Sequence, residues 1–192
     1  MTQIVLIRPG STDFDKQGRI QGSLDIPLSD DGRQQAARLT SDLRPHAMAL
    51  VYTSPCKAAV ETGQVLSAGL GVRLKQLAKL CNLDQGLWEG MEVEEIKRRH
   101  PKIFRHWQEH PECVCPPAGE SWEAAQQRVT GALDKVRKKH KGETVGLIVP
   151  EPLASMVRAL LIGPCGEGHR QTSACGSWQV LDADAPKVAA AG

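Results

Sequence analysis

The stretch Ile4-Val5-Leu6-Ile7-Arg8-Pro9-Gly10-Ser11-Thr12 decides the reading of this chain. Four apolar residues in a row, stopped by a Pro-Gly pair, describe a strand buried on both faces that opens into a loop. Two further apolar runs, at 49–52 and 145–149, repeat the pattern. Each run is followed by a loop and then by helical periodicity, as in a mostly parallel sheet wrapped by helices. The expected fold class is therefore α/β, a three-layer α/β/α arrangement with a mostly parallel central sheet. Ligands of such sheets bind at the carboxyl ends of the strands. The loops beginning at Arg8, Thr53 and Pro150 are where a site belongs.

Outward from these strands, the helices can be placed by their caps and stops. Ser29 or Asp30 can cap a helix carrying Ala36, Leu39 and Leu43 on one face. Residues 58–70 read as a second helix closed by Gly69 and Gly71, before a further strand at 72–74. A charged helix begins at Val93 and stops before Pro101, and another pattern covers 103–108. Ser121 caps a long helix to about residue 138. Pro152 suits the first position of a helix holding Met156, Val157, Leu160 and Leu161. A last strand at 177–181 places Trp178 and Val180 on one face. Residues 1–182 read as one domain, with a small helical insertion over the cleft at about 84–117. Residues 183–192 read as a flexible tail.

Composition excludes several classes. The 192 residues carry 41% hydrophobic and 24% charged residues and a formal net charge of +2. That balance belongs to an ordinary globular domain and gives no electrostatic case for nucleic acid. No apolar run approaches the roughly 20 residues that span a bilayer, and no secretory leader is evident. Six cysteines (Cys56, Cys81, Cys113, Cys115, Cys165, Cys175) are scattered and read as free thiols in the cytoplasm. Cys113-Val114-Cys115 has one intervening residue, short of the usual zinc spacing, so no metal site and no cofactor are expected.

In order and spacing, the chain resembles the histidine phosphatase superfamily in its phosphoglycerate-mutase-like branch. The matching pieces are Arg8 to Thr12, Gln21-Gly22, Asp25-Ile26-Pro27-Leu28, Ser54-Pro55, Glu61-Thr62, Leu87-Trp88-Glu89-Gly90, Gly119-Glu120-Ser121 and the strand-turn-helix of 145–161. The resemblance implies a site with a nucleophilic histidine after the first arginine, a second arginine, a glutamate acid/base and a second histidine. Carried over one position at a time, those places hold Pro9, Ala58, Asn82 and Glu151. Arg8 is kept, and Gly10, Ser11, Thr12, Asp15, Gln21 and Gly22 are expected around the pocket. No catalytic position is intact.

Proline offers no nucleophile and removes a backbone donor. Alanine clamps no phosphate. Asparagine shuttles no proton near neutral pH. A carboxylate at 151 opposes an anion: like charges near 4 Å cost about 4 kcal/mol at an effective dielectric near 20. Glu151 is expected to pair with Arg8 across the pocket floor, at the start of a helix where a carboxylate is stabilised.

The leading functional expectation is thus a catalytically inactive homologue, a pseudoenzyme serving as a binding or regulatory protein. Its partner is an unknown small molecule or a protein, and the chain a monomer or homodimer. An enzyme with altered chemistry in the same cleft, with Cys56 or Cys81 as nucleophile, is the alternative. A working phosphatase or phosphoglycerate mutase is the second alternative.

Overall fold

The computed structural model describes residues 1–163 and 174–184. Five strands, β1 (Gln3–Ile7), β2 (Leu50–Thr53), β3 (Arg73–Gln76), β4 (Thr144–Ile148) and β5 (Trp178–Asp182), form one sheet in the order β3-β2-β4-β1-β5. The first four pair in parallel, while β5 runs antiparallel to β1 at the edge.

Why the opening run is a strand is visible in its packing. Ile4 and Leu6 enter one core, and Val5 and Ile7 enter another on the opposite face. Successive side chains of a strand point to opposite faces, so an uninterrupted apolar run fits only a sheet covered twice. The first layer is closed by α6 (Trp122–Lys139) and α7 (Leu153–Ile162), through residues such as Val129, Leu133 and Val157. The second is closed by α2 (Asp30–Leu43) and α3 (Lys57–Leu70), through Leu39, Leu43, Ala59 and Leu66. The three-layer α/β/α architecture is thereby in place.

Caps settle the helix ends. Ser29 Oγ accepts from Gly32 N at 3.1 Å, and Ser121 Oγ accepts from Ala124 N at 3.2 Å. These bonds satisfy amide donors that have no partner inside the helix. Gly71 ends α3 in the left-handed region, at φ 69. Pro152 lies one residue ahead of α7 instead of at its first position. The reason is a turn: Ala154 N bonds back to Pro150 O at 2.9 Å before the helical ladder begins.

The segment expected to form a helical insertion holds α4 (Val93–Arg99), α5 (Pro101–Glu109) and two short 3-10 turns, Gly86–Trp88 and Pro111–Cys113. With Ile20 it builds its own small core of Trp88, Ile96 and Phe104, against which Trp107 packs. The four-residue α1 (Asp13–Lys16) lies between β1 and this segment in the chain. Trp178 and Val180 do share a face of β5, and it is the exposed one.

Of the expected tail, residues 185–192 lie outside the described residues. Its first two residues are tied down: Ala183 N bonds Thr2 O at 2.9 Å, and Asp184 Oδ2 accepts from Thr2 N at 2.6 Å.

Candidate functional site

The ends of β1 and β4, the start of α3 and the 84–117 segment enclose a cleft of about 240 Å³. The loop after β1 is fixed on every side. Arg8 N donates to Ser177 O and Gly176 N to Pro9 O, both at 2.9 Å, extending the β1–β5 pairing into the site. Gly10 N donates to Thr62 Oγ1 at 3.1 Å. A Cβ at Gly10 would stand 2.2 Å from Gly32 O, so only glycine fits between this loop and α2.

Arg8 and Glu151 meet. Arg8 Nη1 is 3.3 Å from Glu151 Oε1, and the two side chains are only 10% and 13% exposed. The other carboxylate oxygen, Oε2, accepts from Ser155 N at 3.1 Å, in the first turn of α7. Glu151 is therefore both helix cap and counter-ion. The dipole and free amides of a helix start favour that negative charge.

The remaining expected residues divide. Pro9, Gly10, Thr12 and Asp15 line the cleft, as do Gln21, Gly22 and Ala58. Asp15 is spent locally: its Oδ2 accepts from both Thr12 N and Thr12 Oγ1 at 2.7 Å. Ser11 does not line the cleft. Its N donates to Gln35 Oε1 at 2.8 Å, and its hydroxyl sits 3.2 Å from Ser29 Oγ, committed to the α2 cap. Asn82 is also set back from the wall. Its Nδ2 donates to Gly22 O at 2.9 Å and to Glu151 O at 3.0 Å, so it ties two loops together.

The strand of chain around Asn82 is itself clamped. Arg128 on α6 makes two bonds to Glu120, at 2.7 and 2.6 Å, and donates to the carbonyls of Lys79, Cys81 and Asn82. A planar guanidinium suits such a bidentate pairing.

Other lining residues, among them Arg19, Gln85, Val93, Trp107 and Cys175, were not among the expected site residues. Arg19 is engaged by Glu92 at 2.8 Å and by Gly90 O at 2.7 Å. Cys175 accepts from Arg8 Nη2 at 3.4 Å across 167 residues of chain. No local spacing announces that contact; only the antiparallel return of β5 makes it. Burial pushes the Cys175 thiol up, Arg8 pulls it down and Asp15 pushes it up, with a net rise. Cys56, one of the two expected nucleophiles, is buried outside the cleft lining, and burial likewise raises its pKa. Cys81, the other, also lies outside the lining.

Among the charged side chains that line the cleft, Arg8 and Arg19 face Asp15 and Glu151. The charges cancel formally, and each has a partner within the protein.

A twice-covered, mostly parallel sheet with its cleft at the strand ends and Arg8 on the cleft wall defines a three-layer α/β/α fold. The chain belongs to the histidine phosphatase superfamily (branch 1), whose model matches residues 4–188. It is 33% identical over 162 residues to phosphoserine phosphatase 1 of Hydrogenobacter thermophilus, covering 84% of this chain and 77% of that one. It is 33% identical over 150 residues to phosphoglycerate mutase-like protein 4 of Arabidopsis thaliana, covering 76% of this chain and 65% of that one. Among solved structures, Bacillus stearothermophilus YhfR superposes with a TM-score of 0.86 at 28% identity, covering 97% of this chain and 94% of that one. Among the described residues, no helix is long and apolar enough to cross a membrane.

Proposed function

We propose that this chain is a catalytically silent member of the superfamily, a pseudoenzyme that works as a binding or regulatory module in the cytoplasm. The observation that carries the reading is the Glu151 carboxylate set on Arg8 at 3.3 Å. It puts an internal anion against the guanidinium that a phosphate would need. Pro9 gives that phosphate no acceptor, Ala58 gives it no second clamp, and Asn82 is bonded to Gly22 and Glu151 carbonyls instead of facing a leaving group. Phosphoryl transfer rests on a nucleophile, positioning and positive charge, and all three are weakened at once.

Altered chemistry in the same cleft is the lesser reading. Its thiol would be Cys175, which among the described cysteines lines the cleft, and burial keeps that thiol protonated at neutral pH; Cys165 lies outside the described residues.

The test is turnover of p-nitrophenyl phosphate and phosphoserine by protein prepared free of host phosphatases, with trapping of a phospho-enzyme. Neither turnover nor a trapped intermediate is expected. Hydrolysis that is lost in Arg8→Ala would overturn the proposal.

A further inference from the structure

Cys113-Val114-Cys115 lies outside the cleft lining, in the helical segment above it. Cys113 closes the 3-10 turn Pro111–Cys113, and Val114 follows in extended conformation, at φ -110 and ψ 117. The side chains flanking an extended residue point to one side, and its own points to the other. Burial follows that alternation: Cys113 and Cys115 are free and exposed, and Val114 is half-buried. Val114 packs against the small core of Ile20, Trp88, Ile96 and Phe104, so both thiols face away from that core.

Two residues apart on an extended chain, the cysteine Cα atoms stand about 6.4–6.8 Å apart. Disulfides join Cα atoms separated by about 4.4–6.8 Å, most often near 5.5–6 Å. The two thiols are within bridging reach at its wide end, and closure draws the turn inward. The turn is anchored on one side, where Cys113 N donates to His110 O at 2.9 Å. Beyond it the contacts are long and weak: Val114 N to Pro111 O at 3.4 Å, and Cys115 Sγ to Pro116 O at 3.6 Å and Gly119 O at 3.7 Å. The other described cysteines are less accessible, Cys56 being buried and Cys81 and Cys175 half-buried.

Val114 shares its core with a residue of the cleft wall. Trp107 packs against the same cluster, with ring centroids 5.6 Å from Trp88 and 6.1 Å from Phe104, and it lines the cleft. Closure takes Val114 out of its extended conformation, and a close-packed core transmits that strain.

We propose that Cys113 and Cys115 form a redox modification site: they exchange with a small-molecule disulfide of the glutathione type and close a bridge that repositions Trp107. One thiolate attacks the small disulfide, forming a mixed disulfide and expelling one small thiolate. The second thiolate attacks the protein sulfur of that mixed disulfide, forming the bridge and expelling the other. The protein sulfurs together lose two electrons, the small disulfide gains them, and the two thiol protons end on the released thiols. An exposed, strained bridge is readily reduced, which suits a reversible signal where thiols are otherwise kept reduced. The site goes beyond the non-catalytic reading of the cleft and does not depend on it.

The intact chain is treated with millimolar oxidised glutathione, its remaining thiols are alkylated, and tryptic peptides are weighed. Peptide 106–128 contains Cys113 and Cys115 and no other cysteine. It is expected to lose two hydrogen atoms and take up no alkyl group, and to recover both thiols in about tenfold excess reduced glutathione. Cys113→Ser and Cys115→Ser, at exposed positions, are expected to keep the melting temperature and abolish the bridge. The Trp107 indole resonance is expected to move on oxidation in wild type and in neither variant. A persistent glutathione adduct, a bridge to another cysteine, or an unoxidised peptide each overturns the site. A bridge that leaves the Trp107 resonance in place, or an oxidative shift that survives in the variants, overturns its link to the cleft.

Discussion

Replacing Glu151 by alanine removes the carboxylate oxygen 3.3 Å from Arg8 Nη1 and the acceptor 3.1 Å from Ser155 N. Water cannot fully stand in, because the paired side chains are only 10% and 13% exposed. Breaking a buried ion pair by deleting one partner costs about 3–5 kcal/mol. The cleft opens on one side of this pair, so the lower end, about 3 kcal/mol, is the expectation. For a chain of this length each kcal/mol moves Tm by about 2–4 °C, which gives a fall of about 6–12 °C. Glu151→Gln keeps one acceptor oxygen, for either Ser155 N or Arg8 but not for both, and is expected to lose about half as much. The sharper part of the assay is phosphate. Wild type is expected not to respond, because its own carboxylate holds Arg8. Glu151→Ala is expected to regain stability, by about 2.7 kcal/mol when phosphate stands at 100 times its Kd. A loss below about 1 kcal/mol would refute the buried-pair reasoning. So would equal stabilisation of wild type and variant by phosphate.

Cys175 is expected to react slowly with iodoacetamide at pH 7. Its raised pKa moves the thiolate, and so the rate, to pH above the ordinary thiol range. Arg8→Ala removes a guanidinium that lowers this pKa and should slow labelling further; fast labelling at pH 7 would oppose both points. Arg128→Ala is expected to cost about 3 kcal/mol and to speed amide exchange at residues 79–83, with Arg128→Lys recovering less than half because it cannot pair twice with Glu120. Unchanged exchange there would show that the clamp is idle. Gly10→Ala forces a Cβ to within 2.2 Å of Gly32 O and is expected to destabilise by about 3 kcal/mol, read as a lowered urea midpoint.

The parts of the fold that follow local rules were legible in the chain. The apolar run at 4–7 could only be a twice-covered strand, and Ser29 and Ser121 announced their helices. The Arg8–Glu151 pair was also legible, because both residues sit at ends of neighbouring parallel strands, where topology brings loops together. Other features depended on packing that no spacing encodes. Asn82 was expected to face the cleft, yet its amide finds two carbonyl acceptors behind the wall. Ser11 was drawn to the α2 cap by Gln35 and Ser29. Cys175 entered through the antiparallel edge strand, whose direction its five residues do not specify. Gln85 carries no local signal of burial, and only the folded structure shows that its oxygen is stranded.

The position of β1 has a consequence for how the protein comes into being. β1 pairs with β4 and β5, which follow it in the chain only after β2 and β3. Until the ribosome has released those later segments, Ile4-Val5-Leu6-Ile7 has neither neighbour and must wait as an exposed apolar run. Pairings this far apart in sequence form slowly, and unpaired apolar strands are aggregation-prone. The cleft floor at Arg8 and Pro9, which hangs from β1 and is held by Gly176 and Ser177, is thus among the last parts of the molecule to take shape. A nascent chain arrested before residue 144 would have much of its helical shell translated and no binding site.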